Sequence, residues 1–106
     1  MKYLIYPLFL FASFSVSAKK ISVNEVSRFV GNKVTVCGKV AQISKVGIDS
    51  FINLNKPHPY QNFYFYSANQ TLSQKYLLKN VCGTGLVEKH NGKYQIKIDL
   101  KKLSFE

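Results

Sequence analysis

The residues of this sequence best suited to covalent, metal or acid–base chemistry are few. They are Cys37 and Cys82, His58 and His90, and the carboxylates Glu25, Asp49, Glu88, Asp99 and Glu106. Their spacing argues against an enzyme: no two acids fall where a helical turn or strand pairing would make an acid/base couple. Two histidines and two cysteines without a Cys-x-x-Cys step do not form a zinc site. A thiol nucleophile would need a reduced cysteine with a histidine beside it. No catalytic residue, metal or cofactor is therefore expected. Binding chemistry is better represented. Fifteen Lys and Arg residues against 5 Asp and Glu give a formal charge of +10, and 7 Tyr and 8 Phe supply aromatic faces. Lysines attract phosphates, and an aromatic face stacks on a base of any identity. Arg28 is the only arginine, so the charge acts as points without the planar fork that reads phosphates or bases bidentately. Sequence-selective recognition is not expected from it.

The elements that must position these residues begin after a distinct leader. Residues 1–18, MKYLIYPLFLFASFSVSA, combine Lys2, an apolar run from Tyr3 to Phe14, and small residues up to Ala18. That is the pattern of a secretory signal peptide cut after Ala18. Retention as an anchor is the alternative, but the run is shorter than the roughly 18–20 residues of a bilayer span, and Pro7 interrupts it. The expectation is an exported protein, periplasmic or extracellular, with one domain at residues 19–106 and no stable membrane span after cleavage. In an oxidising compartment a Cys37–Cys82 disulfide is the default, and so small a domain gains from one.

Within that domain, Ser22 or Asn24 caps a short helix that ends at Gly31, with Val26, Phe29 and Val30 on one face. VTVCGKV (34–40) alternates with period two, placing Val34, Val36 and Val40 inward and Cys37 outward. The first strand is expected at 33–43, followed by a loop at 44–50. Phe51–Leu54 makes the second strand, and Pro57 and Pro59 break the ladder. In the third strand (62–67), Phe63 and Phe65 face in, while Tyr64 and Tyr66 face out with hydroxyls in water. A helical segment is expected over Leu72–Leu78. The fourth strand carries Cys82, antiparallel to the first. Asn91-Gly92 is a hairpin signal, and the last strand, Tyr94–Leu100, places Ile96, Ile98 and Leu100 inward.

Five strands with a helical insertion between the third and fourth make the plan of an OB-fold: an all-β, five-stranded Greek-key barrel. More specifically, ISVNEVSRFVGNKVTVCGKV, SFINLNKPHPYQNF and NVCGTGLVEKHNGKYQIKI resemble a family of small secreted bacterial OB-fold domains. That family carries a VxVCGxV strand and a PxPxQxF-like stretch, and is nucleic-acid-binding-like by fold. The sequence departs from the pattern at His58 and Tyr60, and at Gly83, where a branched residue is usual. Gly83 is expected to loosen the fourth strand.

OB-folds bind ligand on strands two and three, between flanking loops. Mapped here, that surface holds Lys45, Phe51, Lys56, His58 and Tyr60, then Tyr64 and Tyr66, with Lys89 and Lys93 from the hairpin. Asn53 and His90 join it. The leading expectation is non-specific attachment to single-stranded nucleic acid or another polyanion. The alternative is a periplasmic or extracellular interaction module for an envelope protein, without nucleic-acid binding.

Overall fold

Period-two alternation governs the chain from Lys33 onward, and the backbone follows it into strands. The computed structural model describes residues 18–106, so all but the last residue of the expected signal peptide lies outside the described residues. β1 (Lys20–Ser22) runs parallel to β2 (Lys33–Val46), joined to it through a short 3₁₀ helix, Val23–Arg28. β2 is the spine of the sheet. Its first half pairs with β5 (Asn80–Leu86) and its second half with β3 (Asp49–Leu54), both antiparallel. β4 (Phe63–Ser67) is antiparallel to β3, and β7 (Lys93–Lys97) lies parallel to β4. β6 (Glu88–His90) folds back on β7, and β8 (Ser104–Phe105) closes onto β5. The strand order is β6-β7-β4-β3-β2-β5-β8, with β1 on the side of β2.

This corrects the expected closed five-stranded barrel: eight strands form one sheet, and among the described residues no ladder joins its ends. The sheet nevertheless curls. A register shift between Val40 and Gln42 inserts Ala41 as a bulge, which bends a strand and sharpens its twist. At the far side Gly85 admits β7, since a Cβ there would stand 2.5 Å from Ile96 Cγ2. The interior is filled by Val26, Val36, Val40, Ile52, Leu54, Phe63, Phe65, Val81, Val87 and Ile96, all at most 1 % exposed. Phe63 and Phe65 meet edge to face at 5.1 Å, and burying each contributes about 1.5–3 kcal/mol.

Several local expectations are revised. The opening helix is 3₁₀, held by a capping box in which Ser22 N–H donates to Glu25 Oε1 at 2.9 Å. Three residues per turn align Val23, Val26 and Phe29, so Val30, expected inward, is 46 % exposed. The loop at 44–50 shrinks to a two-residue turn, Gly47-Ile48, with Gly47 at φ +63°. The helical segment at 72–78 reduces to the 3₁₀ turn Gln74–Tyr76. Leu78 takes φ +68° and donates its N–H to Val40 O at 2.8 Å instead of continuing a helix. Leu77 and Leu78 are consequently exposed, while Leu72 is buried and Tyr76 stacks on Phe105 at 4.2 Å. The last strand stops at Lys97, and Asp99 caps a 3₁₀ turn at Leu100–Lys102 by accepting from Lys101 N–H at 3.0 Å. Gly83 does not loosen its strand: a Cβ there would lie 2.7 Å from Phe65 Cε1, so the glycine is the seat of that ring.

Cys37 and Cys82 lie directly opposite each other in the β2–β5 register, with Cα atoms 4.1 Å apart, and form the disulfide.

Candidate functional site

The outer face of the β2–β3–β4–β7–β6 half of the sheet is the part richest in aromatic and amide groups. Register places Ser44, Phe51, Tyr66 and Lys97 in one cross-strand row. Gln42, Asn53, Tyr64, Gln95 and Glu88 form the next. The Phe51 ring lies between two tyrosines, 5.4 Å from Tyr64 and 5.2 Å from Tyr66. A concavity of about 530 Å³ opens over Phe51 and Tyr64, lined also by His58 and Gln61 from the loop after β3 and by His90 and Asn91.

That loop is held in place by named bonds. Asn55, at φ +68°, turns the chain off β3, donates its N–H to Lys39 O and accepts from Lys39 N–H at 2.9 Å. His58 N–H donates to Gln42 Oε1 at 2.8 Å. Lys93 Nζ donates to Pro59 O at 2.7 Å and to Gln61 O at 2.8 Å, which straps the loop to β7. Beneath it runs a chain of side-chain amides. Asn53 Nδ2 donates to Gln42 Oε1 at 2.9 Å, and Gln61 Nε2 donates to Asn53 Oδ1 at 3.1 Å.

Of the residues expected at the site, Phe51, His58, Tyr64 and Lys93 come together around the concavity, with Asn53 and His90. Tyr66 is on the same face outside it. Lys56 and Tyr60 lie exposed on the loop and do not line the concavity. Lys45 and Lys89 are corrections. Lys45 pairs with Ser50 and Lys89 with Tyr94, and directly opposed residues share a face. Both therefore belong to the opposite side of the sheet from Phe51. The free hydroxyls expected on the third strand are also revised. Tyr64 is only 6 % exposed, and Tyr66 Oη donates to Asp49 Oδ2 at 2.7 Å.

Gln42, Gln61, Gln95 and Glu88 were not foreseen. Gln61 is the glutamine of the PxPxQxF-like stretch, so a signal for it stood in the sequence. Gln42 carried none.

Electrostatically the face is mixed. Lys93 is engaged by carbonyls, and Lys97 Nζ stands 3.9 Å from Glu88 Oε1. Asp49 and Glu88 both lie on this face, while Lys33, Lys39, Lys75, Lys79, Lys101 and Lys102 are exposed elsewhere.

The hydrogen bond to Asp49 raises the Tyr66 pKa above the usual 10.0, aided by desolvation. Burial, with the Glu88 charge, raises that of Tyr64. A raised folded-state pKa favours the neutral phenol. Its contribution is therefore complete below pH 10.0 and lost as pH climbs through the folded value. Titration followed by tyrosinate absorbance should show two late phenols, and Asp49→Asn should bring Tyr66 alone back toward 10.0.

No family model and no curated relative matches the sequence. Solved structures do match. An asparaginyl-tRNA synthetase from Pyrococcus horikoshii superposes with a TM-score of 0.56 at 18 % identity, over 83 % of this chain and 23 % of the synthetase. A chain assigned as an aspartyl-tRNA synthetase from Leishmania major Friedlin gives 0.59 at 17 % identity, over 93 % of this chain and 22 % of that one. An OBody bound to hen egg-white lysozyme gives 0.59 at 18 % identity, and here the match spans 87 % of this chain and 96 % of the OBody. The fold is OB-like. The OB-like domain thus spans less than a quarter of either synthetase and nearly all of the OBody. Among the described residues no helix is long and apolar enough to cross a membrane, and no group of three metal-ligating side chains forms.

Proposed function

We propose that this protein is an exported OB domain that attaches to single-stranded nucleic acid through the outer face of β3 and β4. The observation that carries the reading is Phe51, set between Tyr64 and Tyr66 at the floor of the concavity. Planar bases stack on such rings with little regard to identity. The face has few uncommitted cations, so stacking leads and phosphate attraction is secondary. Two supports stand behind it. The fold is shared with part of an asparaginyl-tRNA synthetase, and the disulfide fits an oxidising compartment. The proposed residues are Phe51, Tyr64 and Tyr66, with His58 and Lys93 shaping the loop beside them, and Lys56 and Tyr60 on its exposed rim.

Titration of labelled single-stranded oligonucleotides by fluorescence anisotropy tests this. Phe51→Ala should weaken binding by about 1–3 kcal/mol, whereas Lys101→Ala should leave it unchanged. The salt slope should be shallow, matching only a few released counterions. No binding at low salt would overturn the proposal.

A second reading is a protein-binding module of the cell envelope. The OBody match, which has lysozyme as its partner, supports it, as do Val46 and Ile48, 64 % and 63 % exposed at the β2–β3 tip. Capture of an envelope protein that survives nuclease treatment, with no oligonucleotide binding, would favour that reading.

A further inference from the structure

Beside the concavity, the side-chain oxygen of Gln61 is buried and has no hydrogen-bond partner among the described residues. Gln61 as a whole is 5 % exposed and lines the concavity. Buried side-chain acceptors are paired in the great majority of cases, so an unpaired one at the edge of a binding concavity points to a ligand group.

The orientation of this amide follows from its neighbours. The backbone N–H of His58 can only donate, so the Gln42 atom it meets at 2.8 Å is the carbonyl oxygen. The Asn53 atom that meets the same oxygen at 2.9 Å must then be the amide nitrogen. That leaves the Asn53 oxygen to accept from the Gln61 nitrogen at 3.1 Å. The second hydrogen on the Gln61 nitrogen reaches His58 Nδ1, also at 3.1 Å. One backbone donor therefore sets three side-chain amides in series. It leaves Gln61 with both hydrogens used and its acceptor open.

We infer that Gln61 selects the base stacked on Phe51, its carbonyl oxygen accepting a hydrogen bond from an exocyclic amine. The inference rests on the nucleic-acid reading above. An amine projects beyond the ring, and on binding it must part the side chains that cover this buried acceptor. The ring N–H of thymine or uracil sits between two carbonyl oxygens, which would meet the Gln61 oxygen first and repel it. Cytosine offers N4 and adenine N6 as donors, whereas thymine presents O4 at the corresponding position. The site should therefore prefer cytosine and adenine to thymine, within an attachment that is otherwise tolerant of sequence.

Homo-oligonucleotides about eight nucleotides long, within the site size of one OB domain, supply the test. Fluorescence anisotropy should show oligo(dC) and oligo(dA) binding about five- to tenfold more tightly than oligo(dT), the value of one added hydrogen bond. An oligonucleotide carrying 2-pyrimidinone in place of cytosine lacks only the amine and should bind about five- to tenfold more weakly than oligo(dC). Gln61→Met should abolish the dC/dT difference. Should that variant fail to fold, the 2-pyrimidinone comparison decides with the unaltered protein. Equal affinity for oligo(dC) and its 2-pyrimidinone analogue would overturn the role of Gln61 and leave the nucleic-acid reading standing. Absence of binding to every oligonucleotide would overturn both.

Discussion

Replacing Cys37 and Cys82 together by alanine is expected to lower the stability of the folded domain by about 4 kcal/mol. The two residues are 45 apart in sequence, and opening a loop of that length restores about that much conformational freedom to the unfolded chain. For a domain of this size the loss should lower Tm by on the order of 20 °C. Domains of ordinary stability melt at about 45–65 °C, so a drop of that size should bring the variant toward half-unfolding near physiological temperature. Circular dichroism melts of the oxidised protein, the reduced protein and the double variant check this. The last two should coincide. A drop of less than about 1 kcal/mol would mean that the unfolded chain already holds these strands near each other.

Gly83→Ala should destabilise by about 1–3 kcal/mol, the usual cost of overpacking a core, although it adds a single methyl group to a strand. That methyl would stand 2.7 Å from Phe65 Cε1 and 2.8 Å from Leu103 Cδ2. The Phe65 ring is fully buried and held edge to face by Phe63, so it has little room to yield. Phe65→Ala, the opposite change at the same contact, should cost about 3–5 kcal/mol through lost burial and the cavity left behind. Urea unfolding of Gly83→Ala in the native and Phe65→Leu backgrounds measures the coupling. The alanine should cost markedly less beside leucine. An equal cost in both backgrounds would place the clash at Leu103 instead.

Much of the strand plan was legible because its signals are local. Alternation over 34–40 and the valines flanking Cys82 mark β2 and β5. Asn91 and Gly92, at φ +51° and +80°, make the tight turn their pairing predicts. Pairing Cys37 with Cys82 needed only the count of cysteines and the antiparallel placement of two strands. Face assignments failed where one residue changed the phase. Carried forward from Val36 and Val40, the alternation would place Gln42 and Ser44 inward. The bulge at Ala41 turns them outward and sends Lys45 to the other side, since the side-chain period of a strand is two. Lys89 was misplaced for a related reason: its face depends on the register of β6 against β7, which the turn alone does not reveal.

The candidate site divides along the same line. Its aromatic content was readable, because Phe51 and Tyr64 sit in short strands with obvious inward partners at Ile52, Phe63 and Phe65. The amide chain was not, since Gln42, Asn53 and Gln61 are joined only by β2–β3 pairing and by the fold of the loop across it. Nor could composition show that Lys93 straps a loop or that Glu88 lies beside Lys97.

By itself, then, the sequence determined the segments of the five longer strands, the turn at Asn91-Gly92, which cysteines join and which rings are available for stacking. Each of these follows from the conformational preference or covalent chemistry of near neighbours. Among the described residues, the tertiary structure decided that the sheet stays open, that Gly83 seats Phe65, that Lys93 is engaged by carbonyls, and that Gln61 keeps an unused acceptor. Those outcomes depend on register and close packing between residues distant in the chain, and hydrogen-bond direction passes through space from one side chain to the next.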